Sequence, residues 1–202
     1  MARSSLTDQP GIHELLLQAL ETERGGIQVY TAALRAAQTE DLTQEWQEYL
    51  EQTRRHEQIL LALFEDLGND PDEKSPGREV VASLGKSLVA AIEMAVANGD
   101  PAMAELVAAE CVVLAETKDH QNWELIGQVA AKGGKEGKRL QQAHGEVEKE
   151  EDHHLYHTKG WARELWMQSL GLAAVLPPPE ERKHVETAIG AARAEQERKR
   201  ML

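Results

Sequence analysis

The chain is poor in three kinds of feature, and each shortage excludes a class of protein. Its one cysteine, Cys111, allows neither an internal disulfide nor a thiolate cluster site. Aromatic residues make up only 4% of the chain, whereas Ala, Leu, Glu and Gln are abundant, which favours helices over sheets. It also lacks both the run of about 18 uninterrupted apolar residues that a membrane span needs and an N-terminal signal peptide. We therefore expect an all-α cytoplasmic protein that does not cross a membrane.

Basic residues are also scarce relative to acidic ones. The chain has 22 Lys and Arg against 35 Asp and Glu, which gives a formal net charge of -13. Such a balance disfavours nucleic acids and anionic membranes as partners and favours the attraction of cations. A length of 202 residues is enough for one domain with a full hydrophobic core.

Helical periodicity predicts four long helices and one shorter helix. The predicted helices are Ile12–Gln38, Leu42–Leu67, Glu79–Ala97 (the shorter one), Ala102–Ala131 and Lys138–Leu170. Short connections join the first two helices and the last two. Residues 69–100 form a connection that is long enough to return along the whole length of a bundle. This layout predicts a four-helix bundle with one long crossover over residues 1–172. A C-terminal extension, residues 173–202, follows with a charged helix after Pro177-Pro178-Pro179.

The inner face of the last long helix carries two residues that do not belong in an apolar core. Along this face, residues recur with alternating steps of four and three, as they do on the buried side of a bundled helix. The face consists of Leu140, His144, Val147, Glu151, His154, Thr158, Trp161 and Leu165. Glu151 and His154 are three residues apart, so they point the same way at adjacent heights. Because burying them without partners would cost several kcal/mol, a metal ion is the partner we expect.

The same test places polar residues on the inner faces of the other long helices. Glu23 falls on the first helix, His56 on the second and Glu110 on the third. If the first and fourth long helices run one way and the other two run the opposite way, these residues share one level with Glu151 and His154. Three carboxylates and two imidazoles form an oxygen and nitrogen ligand set that suits iron, manganese or zinc.

This pattern resembles the ferritin-like di-iron carboxylate superfamily, and in layout most of all its rubrerythrin-like and bacterial stress-protein branches. That family uses one Glu from each of two helices and a Glu-x-x-His pair from each of the other two. The resemblance implies a metal site made of Glu23, His56, Glu110, Glu151 and His154, with Tyr30 at the spacing of the family's helix-one tyrosine.

The chain departs from the family pattern at Thr53, which stands where the second helix should carry a metal-bridging Glu. A hydroxyl is a weak and neutral ligand, so a symmetric pair of metal ions is not expected. A single ion, an asymmetric pair with a solvent ligand, and the loss of metal all remain open.

The resemblance implies a protein that holds one or two iron or manganese ions and takes part in oxidase, peroxidase or ferroxidase chemistry with dioxygen or peroxide. No rubredoxin-type cysteine module is present to supply electrons. The alternative function is a metal-free structural or stress-response bundle that acts as a dimeric interaction protein, in which the polar layer fixes the register of the helices. A homodimer is expected with either function.

Two weaker patterns lead to further hypotheses. His13, His120 and His144 fall on the same side of the predicted site, about 10–15 Å from it, where they form either a second histidine layer or solvent-exposed helix ends. The Gly25-Gly26 pair inside the first helix is costly for a helix, at about 0.5–1 kcal/mol for each residue. A close approach of helices, a local bulge or a tolerated weak spot would each account for it.

Overall fold

The structure is a computed structural model that describes residues 9–173, and all regular secondary structure in this part of the chain is helical. The elements are α1 (Pro10–Ala36), α2 (Glu40–Leu67), α3 (Pro76–Ala97), α4 (Pro101–Ala130) and α5 (Gly134–Ser169). The predicted bounds agree closely, and the largest difference is at the start of α5, which begins at Gly134 rather than Lys138. The predicted C-terminal helix lies outside the described residues.

Local sequence signals explain where the helices begin and end. A proline stands at the first position of α1, α3 and α4, where its missing N–H group is not needed. The side chains of Ser75 and Asp100 cap α3 and α4 by accepting hydrogen bonds from backbone N–H groups of the first turn. Gly68 ends α2 in the left-handed conformation, with a φ of 72°.

The five helices pack as a bundle, which confirms the predicted all-α class. Helices α1, α2, α5 and α4 contact one another in a closed ring, and α3 packs against α1 and α4. The short turns at residues 37–39 and 131–133 make α1 and α2, and likewise α4 and α5, antiparallel neighbours. α1 and α4 also run in opposite directions, because Thr22 and Glu23 contact Asn122 and Trp123, whereas Gln38 contacts Glu105.

The core consists of two apolar clusters. The first cluster includes Tyr30, Trp46, Tyr49, Ile92, Leu106 and Trp161. The second cluster includes Leu16, Leu20, Leu60, Phe64, Trp123 and Leu140. Each of the four ring helices contributes apolar residues to both clusters and carries buried polar residues between the two. A polar layer therefore divides the core at about the middle of the bundle.

Close helix contacts account for the glycine pair in α1. A Cβ atom on Gly26 would lie only 3.2 Å from Cγ2 of Thr53 on α2, and one on Gly85 of α3 would lie 3.4 Å from the Cα of Gly25. Since α1 continues as an α-helix through both glycines, close approach rather than a bulge explains their presence.

Helix α3 has an unusually apolar exposed face. Val80, Leu84 and Met94 are 59%, 57% and 66% exposed. Among the described helices, α3 is long and apolar enough to cross a membrane by length and composition, although one of its faces packs against α1 and α4. Lys86 and Glu93 interrupt its apolar sequence, so a search for an uninterrupted run does not identify it.

Candidate metal centre

The polar layer brings six ionisable side chains together from four helices. They are Glu23 from α1, His56 from α2, Glu116 and Asp119 from α4, and Glu151 and His154 from α5. All six are at most 4% exposed. Side chains of these types are rarely buried unless they are paired with each other or bound to a cation.

Two groups of three within this layer have the spacing of metal ligands, and they share Glu151. One group is Glu23, His56 and Glu151, and the other is Glu116, Glu151 and His154; in each, the ligand atoms lie within 4.8 Å of one another. Oε1 of Glu151 lies 2.9 Å from Nδ1 of His56 and 3.5 Å from Nδ1 of His154. Ligands about 2.1 Å from one ion lie about 3 Å apart at a right angle and about 4 Å apart when opposite. The donor sets therefore fit a metal ion in each group, with the Glu151 carboxylate between them.

Both histidines are oriented by partners on the outer side of the layer. Nε2 of His56 lies 2.7 Å from Oε2 of Glu150, and Nε2 of His154 lies 2.6 Å from Oε1 of Gln52. Because a carboxylate or amide oxygen only accepts, Nε2 carries the proton in both rings. Nδ1 is then the atom that faces the centre. Such an outer partner is the usual way in which a metal-binding histidine is held in one tautomer.

The inner atoms of the cluster have no hydrogen-bond partner among the described residues. The seven unpartnered buried atoms are Nδ1 of His56 and His154, Oε2 of Glu23 and Glu116, Oδ1 of Asp119, and both carboxylate oxygens of Glu151. Atoms of this kind are normally satisfied in folded proteins. Their convergence on one layer is what a bound cation would explain.

Burial and mutual repulsion shift the pKa values of three of these carboxyl groups upward. Burial raises the pKa of Glu23 well above its ordinary value, and the charges of Asp119 and Glu151 add to the shift. Burial also raises the pKa of Asp119, with further contributions from Glu151 and Glu116. Burial and the charge of Glu116 act in the same direction on the pKa of Glu151. Without a cation, the layer therefore retains protons.

Aromatic side chains enclose the layer. Nε1 of Trp123 donates a 2.7 Å hydrogen bond to Oε1 of Glu23, which fixes that carboxylate and leaves its other oxygen directed inward. The ring of Tyr49 lies against the imidazole of His154, with the ring centres 4.3 Å apart. Tyr30 is fully buried, and burial together with the charge of Glu116 raises the pKa of its hydroxyl. These rings keep water away from the centre and hold its ligands in place.

Thr53 is buried at the same level but does not contribute a ligand. Its hydroxyl donates a 2.9 Å hydrogen bond to the backbone carbonyl of Tyr49, one turn earlier in α2. Its methyl group faces Gly26 of α1. Helix α2 therefore supplies only one side chain, His56, to the two ligand groups.

Four of the five predicted site residues lie in this layer, whereas Glu110 lies outside it. Glu110 is exposed and accepts a hydrogen bond from Nε1 of Trp166. The residue of α4 that faces the centre is instead Glu116, with Asp119 three residues later. The sequence contained a signal for this, because Glu116-x-x-Asp119 repeats the spacing of the pair on α5.

The hypothesis of a second histidine layer is not supported. His13 pairs with Glu73 at 3.0 Å, His120 pairs with Asp152 at 2.8 Å, and His144 lies 3.7 Å from Glu148. Within residues 9–173, none of the three histidines belongs to a group of potential ligands with the spacing of a metal site. Each of the three therefore lies beside a separate carboxylate.

Comparisons with known proteins find no match to this chain, whether against family models, curated proteins or solved structures.

Proposed function

We propose that this protein is a ferritin-like metalloprotein that holds iron or manganese in the polar layer and takes part in oxygen, peroxide or iron-oxidation chemistry. The observation that carries the proposal is the convergence of seven buried, unpartnered nitrogen and oxygen atoms from four helices. Two features support the ferritin-like part of the proposal. The helices α1, α2, α5 and α4 form a closed ring, and a long connection that contains α3 joins α2 to α4.

A purely hydrogen-bonded layer explains these contacts less well than a metal ion does. Since Nε2 of His56 donates outward to Glu150, its Nδ1 and the Glu151 oxygen 2.9 Å away are both acceptors in the neutral tautomer. Two acceptors at that distance need a positive charge between them. A proton can meet this need at one pair of atoms, whereas a metal ion meets it for a whole ligand group at once.

The donor types favour iron or manganese. The layer offers four carboxylates and two imidazoles, and the only described cysteine, Cys111, is absent from both ligand groups. Oxygen-rich sites with some imidazole suit these metals, whereas thiolates would favour copper(I), zinc or iron–sulfur clusters. Bound iron or manganese would supply one-electron chemistry toward dioxygen or peroxide.

The surrounding residues have defined tasks in this proposal. Glu150 and Gln52 hold the imidazoles in the ligating tautomer, and Trp123 orients Glu23. The two apolar clusters exclude bulk water on either side of the layer, which strengthens electrostatic interactions within it.

Metal analysis of the purified protein tests the proposal. The wild type should bind iron or manganese at one or two ions per chain, and Glu151→Gln should lose most of it because both ligand groups use this residue. Glu110→Gln is the matched control, since Glu110 is exposed and should not affect binding. Addition of ferrous iron to metal-free wild type should then consume dioxygen, and Glu151→Gln should not.

The alternative function, a metal-free dimeric structural bundle, predicts a different set of results. In that case the wild type would take up neither metal when it is supplied, and a chelator would leave its thermal stability unchanged. Sedimentation analysis of the same samples tests the expected homodimer separately.

A further inference from the structure

We infer that Asp119 is a metal ligand that replaces the carboxylate missing at Thr53, so that the centre holds two divalent cations rather than one. This inference rests on the proposed function, because it concerns the composition of the same centre. It assigns a ligand that lies outside both of the compact groups of three.

The charge balance of the centre favours a fourth carboxylate ligand. A ligand set with one Glu from each of two helices and a Glu-x-x-His pair from each of the other two contains four carboxylates and two histidines. Here Glu23, Glu116 and Glu151 provide three carboxylates, and Thr53 stands at the position of the fourth. With Asp119 the count returns to four negative charges, which balance two divalent cations. Such a balance matters in a buried site, where uncompensated charge is costly.

The position of Asp119 on α4 places it on the same face as Glu116. It follows Glu116 by three residues, so both side chains point to the same side of the helix. Glu116 belongs to the ligand group of His154. Asp119 lies one turn before Trp123, whose Nε1 donates a hydrogen bond to Glu23, a member of the other group. The charges of Asp119 and Glu23 also interact, which contributes to the raised pKa of Glu23. Helix α4 thus carries one carboxylate in the ligand group of His154 and a second carboxylate on the same face, toward Glu23.

One carboxylate oxygen of Asp119 is buried without a hydrogen-bond partner in the described part of the chain. The residue is 4% exposed, and the unpartnered oxygen is Oδ1. Lys118, the adjacent residue, donates a hydrogen bond to Asn122. Thr53 does not provide a partner either, because its hydroxyl is used by the carbonyl of Tyr49. Asp119 is therefore a buried acid at the level of the polar layer, with one oxygen that no described residue satisfies.

A titration with Co²⁺ tests the inference. Chelator-treated, desalted protein is titrated by calorimetry and by visible absorbance, and the bound metal is then counted by elemental analysis. We expect two ions per chain for the wild type and for the control Glu110→Gln. Asp119→Asn, which keeps the shape and removes the charge, should retain the ion held by Glu116, Glu151 and His154. Its affinity for the other ion should fall by more than the ~10–100-fold that the loss of an outer partner causes.

Correct folding of the variant is tested separately. Asp119→Asn replaces a buried ionisable group by a neutral one of the same shape, so in chelator it should unfold at the same temperature as the wild type or a higher one. A reciprocal variant, Glu116→Gln, should lower the affinity for the ion held by the ligand group of His154. It should leave the affinity for the ion at Glu23, His56 and Asp119 unchanged.

The outcomes separate this inference from the proposed function. A wild type that binds no Co²⁺, iron or manganese would contradict both. A wild type that binds a single ion, or a folded Asp119→Asn variant that binds two ions with unchanged affinity, would contradict the role of Asp119 and leave the metal centre intact.

Discussion

Because of its buried acids, we predict that the unfolding free energy of the metal-free protein falls as the pH rises. Burial and neighbouring charges raise the pKa values of Glu23, Asp119 and Glu151 in the folded state. In the unfolded chain these groups ionise near their ordinary values of about 4. Above that pH the folded protein therefore holds protons that the unfolded chain has lost.

The sign follows from proton linkage. A raised folded-state pKa of an acid contributes stability at low pH, and that contribution is lost as the pH rises from the unfolded pKa toward the folded one. Each proton retained only by the folded state lowers the unfolding free energy by about 1.4 kcal/mol per pH unit. One retained proton thus costs about 3 kcal/mol between pH 5.5 and 7.5. This is a large share of the roughly 5–15 kcal/mol that stabilises a typical domain.

Three further groups with shifted pKa values, Glu45, Glu150 and His120, do not reverse this trend. Burial acts to raise the pKa values of Glu45 and Glu150, but hydrogen bonds from His157 and His56, respectively, contribute to a net lowering. Both groups are therefore ionised in the folded and the unfolded chain above about pH 6. His120 has a raised pKa because it is hydrogen-bonded to Asp152, and it acts with the same sign as the buried acids.

Urea unfolding followed by circular dichroism, in chelator at pH 5.5, 6.5 and 7.5, measures how the unfolding free energy changes with pH. We expect stability to fall with pH in the wild type and in His120→Gln, and to fall less steeply in Glu151→Gln. Saturating metal should reverse the trend, because binding requires deprotonated ligands and releases protons. A metal-free stability that is constant or that increases over this range would refute the reasoning.

Two further predictions concern the groups around the centre. Glu150→Ala removes the acceptor for Nε2 of His56, so metal affinity measured by calorimetry should fall by about 10–100-fold, and an unchanged affinity would contradict the orienting role. Leu60→Ala, in the second apolar cluster, should lower the unfolding free energy by about 2–5 kcal/mol, whereas Leu84→Ala, 57% exposed on α3, should change it by at most about 0.5 kcal/mol. Equal losses in these two leucine variants would contradict the described core.

The fold could be predicted from the sequence because its helices carry strong local signals. Proline and glycine mark most of the helix ends, and one inner face is clear in α1, α2 and α5. For that reason Glu23, His56, Glu151 and His154 could all be assigned to the interior. Polar residues on a clearly defined apolar face are easy to recognise.

The inner face of α4 could not be chosen from periodicity alone. Apolar residues occur on more than one side of this helix, since Val112 is buried whereas Met103 and Leu114 are exposed. Periodicity therefore does not distinguish a register through Glu110 from one through Glu116. The contacts of α4 with α1, α3 and α5 decide between them, and these depend on the tertiary structure.

The division of the core by the polar layer has a consequence for local opening of the bundle. Each end is held by its own apolar cluster, and the four ring helices are joined between these ends mainly by the buried acids and imidazoles. Without a cation, repulsion at mid-height would let one end fray while the other stays closed. A bound ion would join the two halves into one cooperative unit, so that amide hydrogens at both ends would exchange with solvent at a common, slower rate.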